Sequence, residues 1–147
     1  MHRSLEPGMS IVVATVDGHG QPAACRAIAI KSEDDLDTLT VFLPVATSHE
    51  TIKNVATTKW LAVTSTYPLD NSATQIKGTT TEARLAREDE GVFVRERLEA
   101  FTGVLRAFGV PGRLAQSLSH WPAFAVTIRV DQIFEQTPGP NAGKRIR

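Results

Sequence analysis

A single cysteine, Cys25, is all the thiol chemistry this chain has. One thiol excludes an internal disulfide and a cysteine-cluster metal site, and its scarcity fits a reducing compartment, so a cytoplasmic location is expected. The chain also lacks net charge, because sixteen Lys and Arg balance sixteen Asp and Glu. No global field therefore draws it to nucleic acid or to an anionic membrane, and any anion it binds must be caught locally. No apolar run reaches transmembrane length, and no signal-type hydrophobic segment follows Arg3 and Glu6, so neither a membrane partner nor export is expected. A glycine fingerprint in a βαβ setting, a Walker sequence and a Gly-x-Ser-x-Gly elbow are all missing as well. The four histidines, His2, His19, His49 and His120, are scattered singly. Structural or solvent-facing roles account for them better than metal ligation does.

What is present is an ordinary globular composition, 41% hydrophobic and 22% charged, enough for one good core. One domain over residues 1–147 is expected, with 1–9 and 138–147 as extended or flexible termini. Residues 10–16 (SIVVATV) are rich in β-branched side chains and run into Asp17-Gly18-His19-Gly20, a tight turn, so residues 22–31 return as the second strand of a hairpin. The acidic cluster at residues 32–37 reads as a loop, and residues 39–43 (LTVFL) as a third, antiparallel strand. Thr47 and Glu50 have the spacing of a capping box, with Thr47 as N-cap of a short helix through Ile52 and Val55. Residues 59–66 and 74–85 give two more strands, with Gly78 marking a bulge or a close backbone approach. Helical spacing of Val94, Leu98, Phe101, Leu105 and Phe108 predicts one long helix over 88–108, and a second short one is expected over 114–120. Residues 124–134 alternate as a sixth strand, and the Pro- and Gly-rich residues 136–143 exclude regular structure. The fold class is mainly β with α: a six-stranded antiparallel barrel with one long and one or two short helices.

Residues 25–31 (CRAIAIK) are the stretch around which a site can be built. Alternation sets Arg26, Ile28 and Ile30 on one face and Ala27, Ala29 and Lys31 on the other. The second face is nearly bare, which suits a flat ligand ring lying close to backbone, although an ordinary half-buried strand explains the same residues. Arg26 and Lys31 stand on opposite faces, so both reach one ligand only if the strand bends. Cys25 beside Arg26 reads as a small packed residue rather than a catalytic thiol. Ser48, Thr51 and Lys53 fall in the first turns of the short helix, where hydroxyls, amides and a cation can meet a phosphate, or simply cap and solvate the helix.

Taken in order, these elements resemble the pyridoxamine 5'-phosphate oxidase-like family, the FMN-binding split β-barrels, from about Ser10 to the tail. The carriers are IVVATVDGHGQP, the CRAIAIK strand, the helix at residues 48–55 leading into Trp60-Leu61-Ala62-Val63, Gln75-Ile76-Lys77-Gly78, and the FEQTPGP ending. That ending looks like an uncharacterised subgroup. The resemblance implies a homodimer with two FMN sites at the subunit interface. It places Arg26 and Lys31 along the cofactor, the backbone of Ala27, Ile28, Ala29 and Ile30 against the flavin ring, and Ser48 at the phosphate, with Thr51, Lys53 and Gln75 as further contacts. The cations that follow the family's serine are replaced here by His49 and Glu50, and the tail TPGPNAGKRIR lacks the oxidases' Arg-rich ending. Pyridoxamine phosphate oxidation is therefore not supported. The activity implied is an FMN-binding oxidoreductase with a small-molecule redox partner and no side chain nominated as general acid or base. The alternative is a non-catalytic dimeric carrier or sensor of a flavin or haem, and a deazaflavin is a further cofactor choice.

Overall fold

Alternation of apolar with small or polar residues makes Ser10–Val16 the first strand, β1, with Ile11, Val13 and Thr15 buried and Val12, Ala14 and Val16 facing out. The structure, a computed structural model, describes residues 5–33 and 36–147. Residues 1–4, and with Asp34 and Asp35 the centre of the expected acidic loop, lie outside the described residues. The Asp17 carboxylate builds the turn after β1 by accepting the backbone N–H of His19 at 2.8 Å and of Gln21 at 2.9 Å. Gly20 completes it at φ +81, a conformation that favours glycine.

β2 (Pro22–Ala27), β3 (Ala29–Ser32) and β4 (Thr38–Pro44) follow, then α1 (His49–Thr58), β5 (Trp60–Thr66), β6 (Ala73–Leu85), α2 (Glu90–Ala107), α3 (Gly112–Gln116) and β7 (Ala123–Glu135). The strands form one antiparallel sheet in the order β2-β1-β5-β6-β7-β4-β3. It is a curled half-barrel of seven strands, not six. The difference arises at Ile28, where the strand expected over 22–31 breaks into β2, paired with β1, and β3, paired with β4. The two edge strands of the sheet are thus joined by one residue.

Val13, Val41, Val63, Val126 and Ile128 fill the barrel, with Val55 of α1 among them. A second cluster, Ile28, Ala29, Phe42 and Ala125, lies beneath Val94 and Leu98 of α2. Gly78 sits at a register shift between β6 and β7, where a Cβ would lie 2.4 Å from the Arg129 carbonyl oxygen. Only glycine permits that approach.

Three elements differ from the sequence reading. Residues Val45–Thr47 form a 3-10 turn after Pro44, so α1 starts later and Ser48, not Thr47, is its N-cap. Glu50 then stands one position too early for a capping box, and no side chain caps the helix. Along α2 the stripe Val94, Leu98 and Phe101 is buried as expected, but Phe108 is 57% exposed because the helix ends at Ala107. The tail, expected extended or flexible, turns at residues 139–143 and returns along β7, where Ile146 N–H donates to the Ile133 carbonyl at 2.7 Å and Phe134 pairs with Arg145. It occupies the edge that β4 leaves open beyond Arg129. Among the described residues no helix is long and apolar enough to cross a membrane, and no group of three or more His, Cys, Asp or Glu could hold a metal ion.

Candidate cofactor site

The break at Ile28 reverses the side-chain parity of the CRAIAIK stretch. Ala27 pairs with Ile11 of β1, Ile28 N–H donates to the Phe42 carbonyl at 2.9 Å, and Ala29 pairs with Phe42 of β4. Cys25, Ala27 and Ile30 accordingly pack into the barrel, whereas Ile28 and Ala29 both lie beneath α2. Ala27 and Ala29 therefore do not share a bare face; they are small because each is packed in a different core. The same reversal puts Arg26 and Lys31 on the outer side together. They had been expected on opposite faces, and the bend that could unite them is present.

Arg26 is held in place. Its guanidinium lies 4.6 Å above the Phe101 ring of α2, and burial pulls its pKa below the ordinary arginine value. It remains a cation at any working pH. Lys31 is exposed at the other side of the bend. Ser48 and Thr51 are turned inward, at 0% and 1% exposure. Ser48 Oγ donates to the Pro44 carbonyl at 2.6 Å, and Thr51 Oγ1 donates to Cys25 Sγ at 3.3 Å. Burial pushes the Cys25 thiol up, and the Thr51 hydroxyl only partly offsets it. The start of α1 is thereby fixed beside Cys25, on the barrel side of β2. Lys53 is exposed on the flank toward Asp17, whose carboxyl is held low by the Gln21 and His19 backbone N–H groups, with a smaller contribution from Lys53.

The sheet register brings Gln75 to the same face as Arg26. Arg26 pairs with Val12, Val12 with Thr64, and Thr64 with Gln75. Partners in an antiparallel pair share a face, so these four side chains form one outward row across four strands. At about 4.8 Å per strand the row is on the order of 14 Å long. Gln75 Nε2 donates to Thr64 Oγ1 at 3.3 Å, which orients the amide along the row. Beside the row lies a groove of about 530 Å3 lined by Ala14, Val16, Trp60, Ala62 and Lys77 among others. The sequence reading missed Val12, Thr64 and Trp60. Alternation gives each strand's faces, but only the register says which residues stand opposite one another.

A flavin mononucleotide needs two kinds of contact from this face. A phosphate needs fixed N–H donors and cations; Arg26 is fixed and Lys31 is on the same side, whereas α1 packs on the barrel side of the sheet through Thr51, Asn54 and Val55. A planar ring needs a flat apolar bed with a hydrogen-bonding end, and the row supplies Val12 followed by Thr64 and Gln75. The Ser48 and Thr51 hydroxyls do not contribute, because both donate to partners inside the protein. Glu50, exposed in the first turn of α1, competes there with any anion. The residues present fit the group, through the two cations and the row.

The fold is that of the pyridoxamine 5'-phosphate oxidase-like, FMN-binding split barrels. An F420 reductase is similar over 90% of this chain and 94% of its own, with TM-score 0.58 at 12% identity. HupZ of Group A Streptococcus is similar over 92% and 90%, with TM-score 0.55 at 22% identity. An FMN-binding protein of Syntrophomonas wolfei is similar over 90% and 78%, with TM-score 0.54 at 8% identity. No family model and no curated protein matches the sequence.

Proposed function

We propose that this chain binds FMN along the outer row and works, as a homodimer, as a flavin-dependent oxidoreductase toward a small-molecule redox partner. The observation that carries the reading is the register that sets Arg26, Val12, Thr64 and Gln75 side by side on one face. When bound, the flavin supplies the redox chemistry. The protein's own residues position it. Arg26, held by Phe101, offers a pre-oriented cation to the phosphate, with Lys31 as the second cation of the bend and Lys53 on the flank of α1. Ser48 and Thr51 act from inside, fixing the start of α1 against Pro44 and Cys25. Ala27 to Ile30 are taken up by the two cores, so Val12 lies along the ring, and the Gln75 amide, steadied by Thr64, hydrogen-bonds the ring's polar end. A haem would need an axial ligand, and the row offers none, so a flavin is the better occupant.

FMN titration followed by its visible spectrum and fluorescence tests this. A charge-assisted hydrogen bond contributes about 1.5–3 kcal/mol, so Arg26→Ala should weaken FMN binding by roughly 10-fold to 100-fold. Unchanged affinity removes Arg26 from the site. The inward Ser48 and Thr51 hydroxyls, together with Glu50, favour a second reading as a non-catalytic flavin carrier. Stopped-flow mixing of the FMN-loaded protein with a reduced nicotinamide separates the two: absence of flavin reduction selects the carrier. The likeness to an F420 reductase makes a deazaflavin the competing ligand to titrate alongside FMN.

A further inference from the structure

The helix α2 has a second flank that the cofactor site does not use. Val94 packs over Ile28 and Ala29, and Phe101 lies against Arg26. Turned away from that stripe, Arg95, Glu99, Thr102 and Arg106 recur at helical spacing along one line. Across from this line stand α3 and His120, which close a groove of about 270 Å3. Its floor is Leu98, Thr102 and Ala115, at 8%, 9% and 2% exposure. At about 30 Å3 per water the groove has room for roughly nine waters, which is the size of a small organic molecule.

Arg95 and Arg106 are the cations of the groove, about three turns apart on α2, and Glu99 is its one acid. All three are exposed, and among the described residues none forms an ion pair. Arg95 and Glu99 are one helical turn apart, but the base precedes the acid, which is the weaker order for such a pair. The facing wall adds no acid, because residues 100–130 contain neither Asp nor Glu. Two cations less one acid leave the lining at a formal +1 with His120 neutral. On a lone helix two arginines would be a solvated face; here a wall stands opposite and the floor is buried. His120 is held at that wall, since the Leu118 carbonyl 3.2 Å from Nδ1 can only accept and Nδ1 therefore carries a proton.

We propose that this groove binds a small organic monocarboxylate. A guanidinium grips a carboxylate through two parallel N–H···O bonds, and Leu98 and Ala115 give the ligand's apolar body a dry floor. The formal +1 matches a monoanion, whereas a dianion would also meet Glu99. The site is independent of the flavin reading, for neither Arg26 nor Gln75 lines it.

Titration of the isotope-labelled full chain, followed by its amide chemical shifts, tests the site. The probes are benzoate, benzamide, which has nearly the same shape without the charge, and inorganic phosphate. Benzoate should shift the Leu98, Thr102 and Ala115 amides with a dissociation constant of about 1 mM or below. Benzamide should bind at least about tenfold more weakly, because it makes no charge-assisted pair. The double variant Arg95→Gln and Arg106→Gln alters exposed side chains only, so it keeps the fold and should weaken benzoate by about tenfold or more. Glu99→Gln should tighten benzoate by about twofold or more, since it removes the one opposing charge. Benzoate that moves no groove amide, or benzamide that binds as tightly, overturns the proposal. Phosphate that shifts the same amides as strongly as benzoate shows a plain anion site and overturns the organic class. FMN affinity should be the same in all these variants, so failure here leaves the flavin reading standing.

Discussion

Replacing Glu90 by Gln removes a carboxylate that Arg84 grips through both terminal nitrogens at 2.8 Å and that also accepts the Arg87 backbone N–H at 2.7 Å. The contact ties the end of β6 to the first turn of α2, the helix that covers Ile28 and Ala29. Glu90 is mostly buried and Arg84 is 27% exposed. The Arg84 hydrogen bonds hold the Glu90 carboxyl at about 2, against an ordinary value of 4.5, with burial opposing them. At full strength that difference corresponds to roughly 3 kcal/mol. Solvent around Arg84 reduces it to about 1–2 kcal/mol. The folded value lies below the unfolded one, so the stabilisation is complete above about pH 4.5 and is lost as pH falls toward 2. Urea unfolding of the parent chain and Glu90→Gln, followed by circular dichroism, should show a gap of about 1–2 kcal/mol at pH 7 that shrinks by more than half at pH 3. A gap equal at both pH values, or none at pH 7, refutes the reasoning.

Two further predictions concern the scaffold. Gly78→Ala places a methyl 2.4 Å from the Arg129 carbonyl oxygen and 3.0 Å from Ile128; the obstacle is backbone, so a loss of about 1–3 kcal/mol is expected. A thermal midpoint within about 1 °C of the parent would contradict the close approach. Cys25 is half-buried with its thiol pushed up by burial. An aromatic disulfide reagent at pH 7.5 should label the native protein at least about tenfold more slowly than the urea-unfolded chain, and equal rates would show an open thiol.

The barrel was legible because alternation and turn chemistry agreed along most strands. The Asp17 turn, the alternation through Val126 and Ile128, and Gly78 all fall where the sequence places them. The long helix was legible for the same reason, its stripe at 94, 98 and 101 matching one buried face. Ile28 was not, because a break inside an apolar run leaves no mark in composition; only the change of partner strand at that residue forces it. The α1 cap was misread because Pro44 initiates a 3-10 turn that uses up Thr47. Within the candidate site, Arg26 and Gln75 were each visible as residues, but their alignment depends on two intervening registers. Burial of Ala27 and Ala29 in two different cores was hidden for a related reason: alanine is small on an open ligand-binding face and small in a crowded core alike.

The joint at Ile28 also bears on how the protein avoids aggregating. An unpaired strand edge is a template for other chains, and this sheet has two, β2 and β3. Both belong to one short segment, and each is brief, at six and four residues. Pro22 removes a donor from one, and Lys31 sets an exposed charge on the other. While Ile28 stays pinned to Phe42 and covered by α2, the two edges are held in place together. A lesion that frees Ile28 releases both at once, so a single local opening converts a guarded sheet into one with two sticky margins.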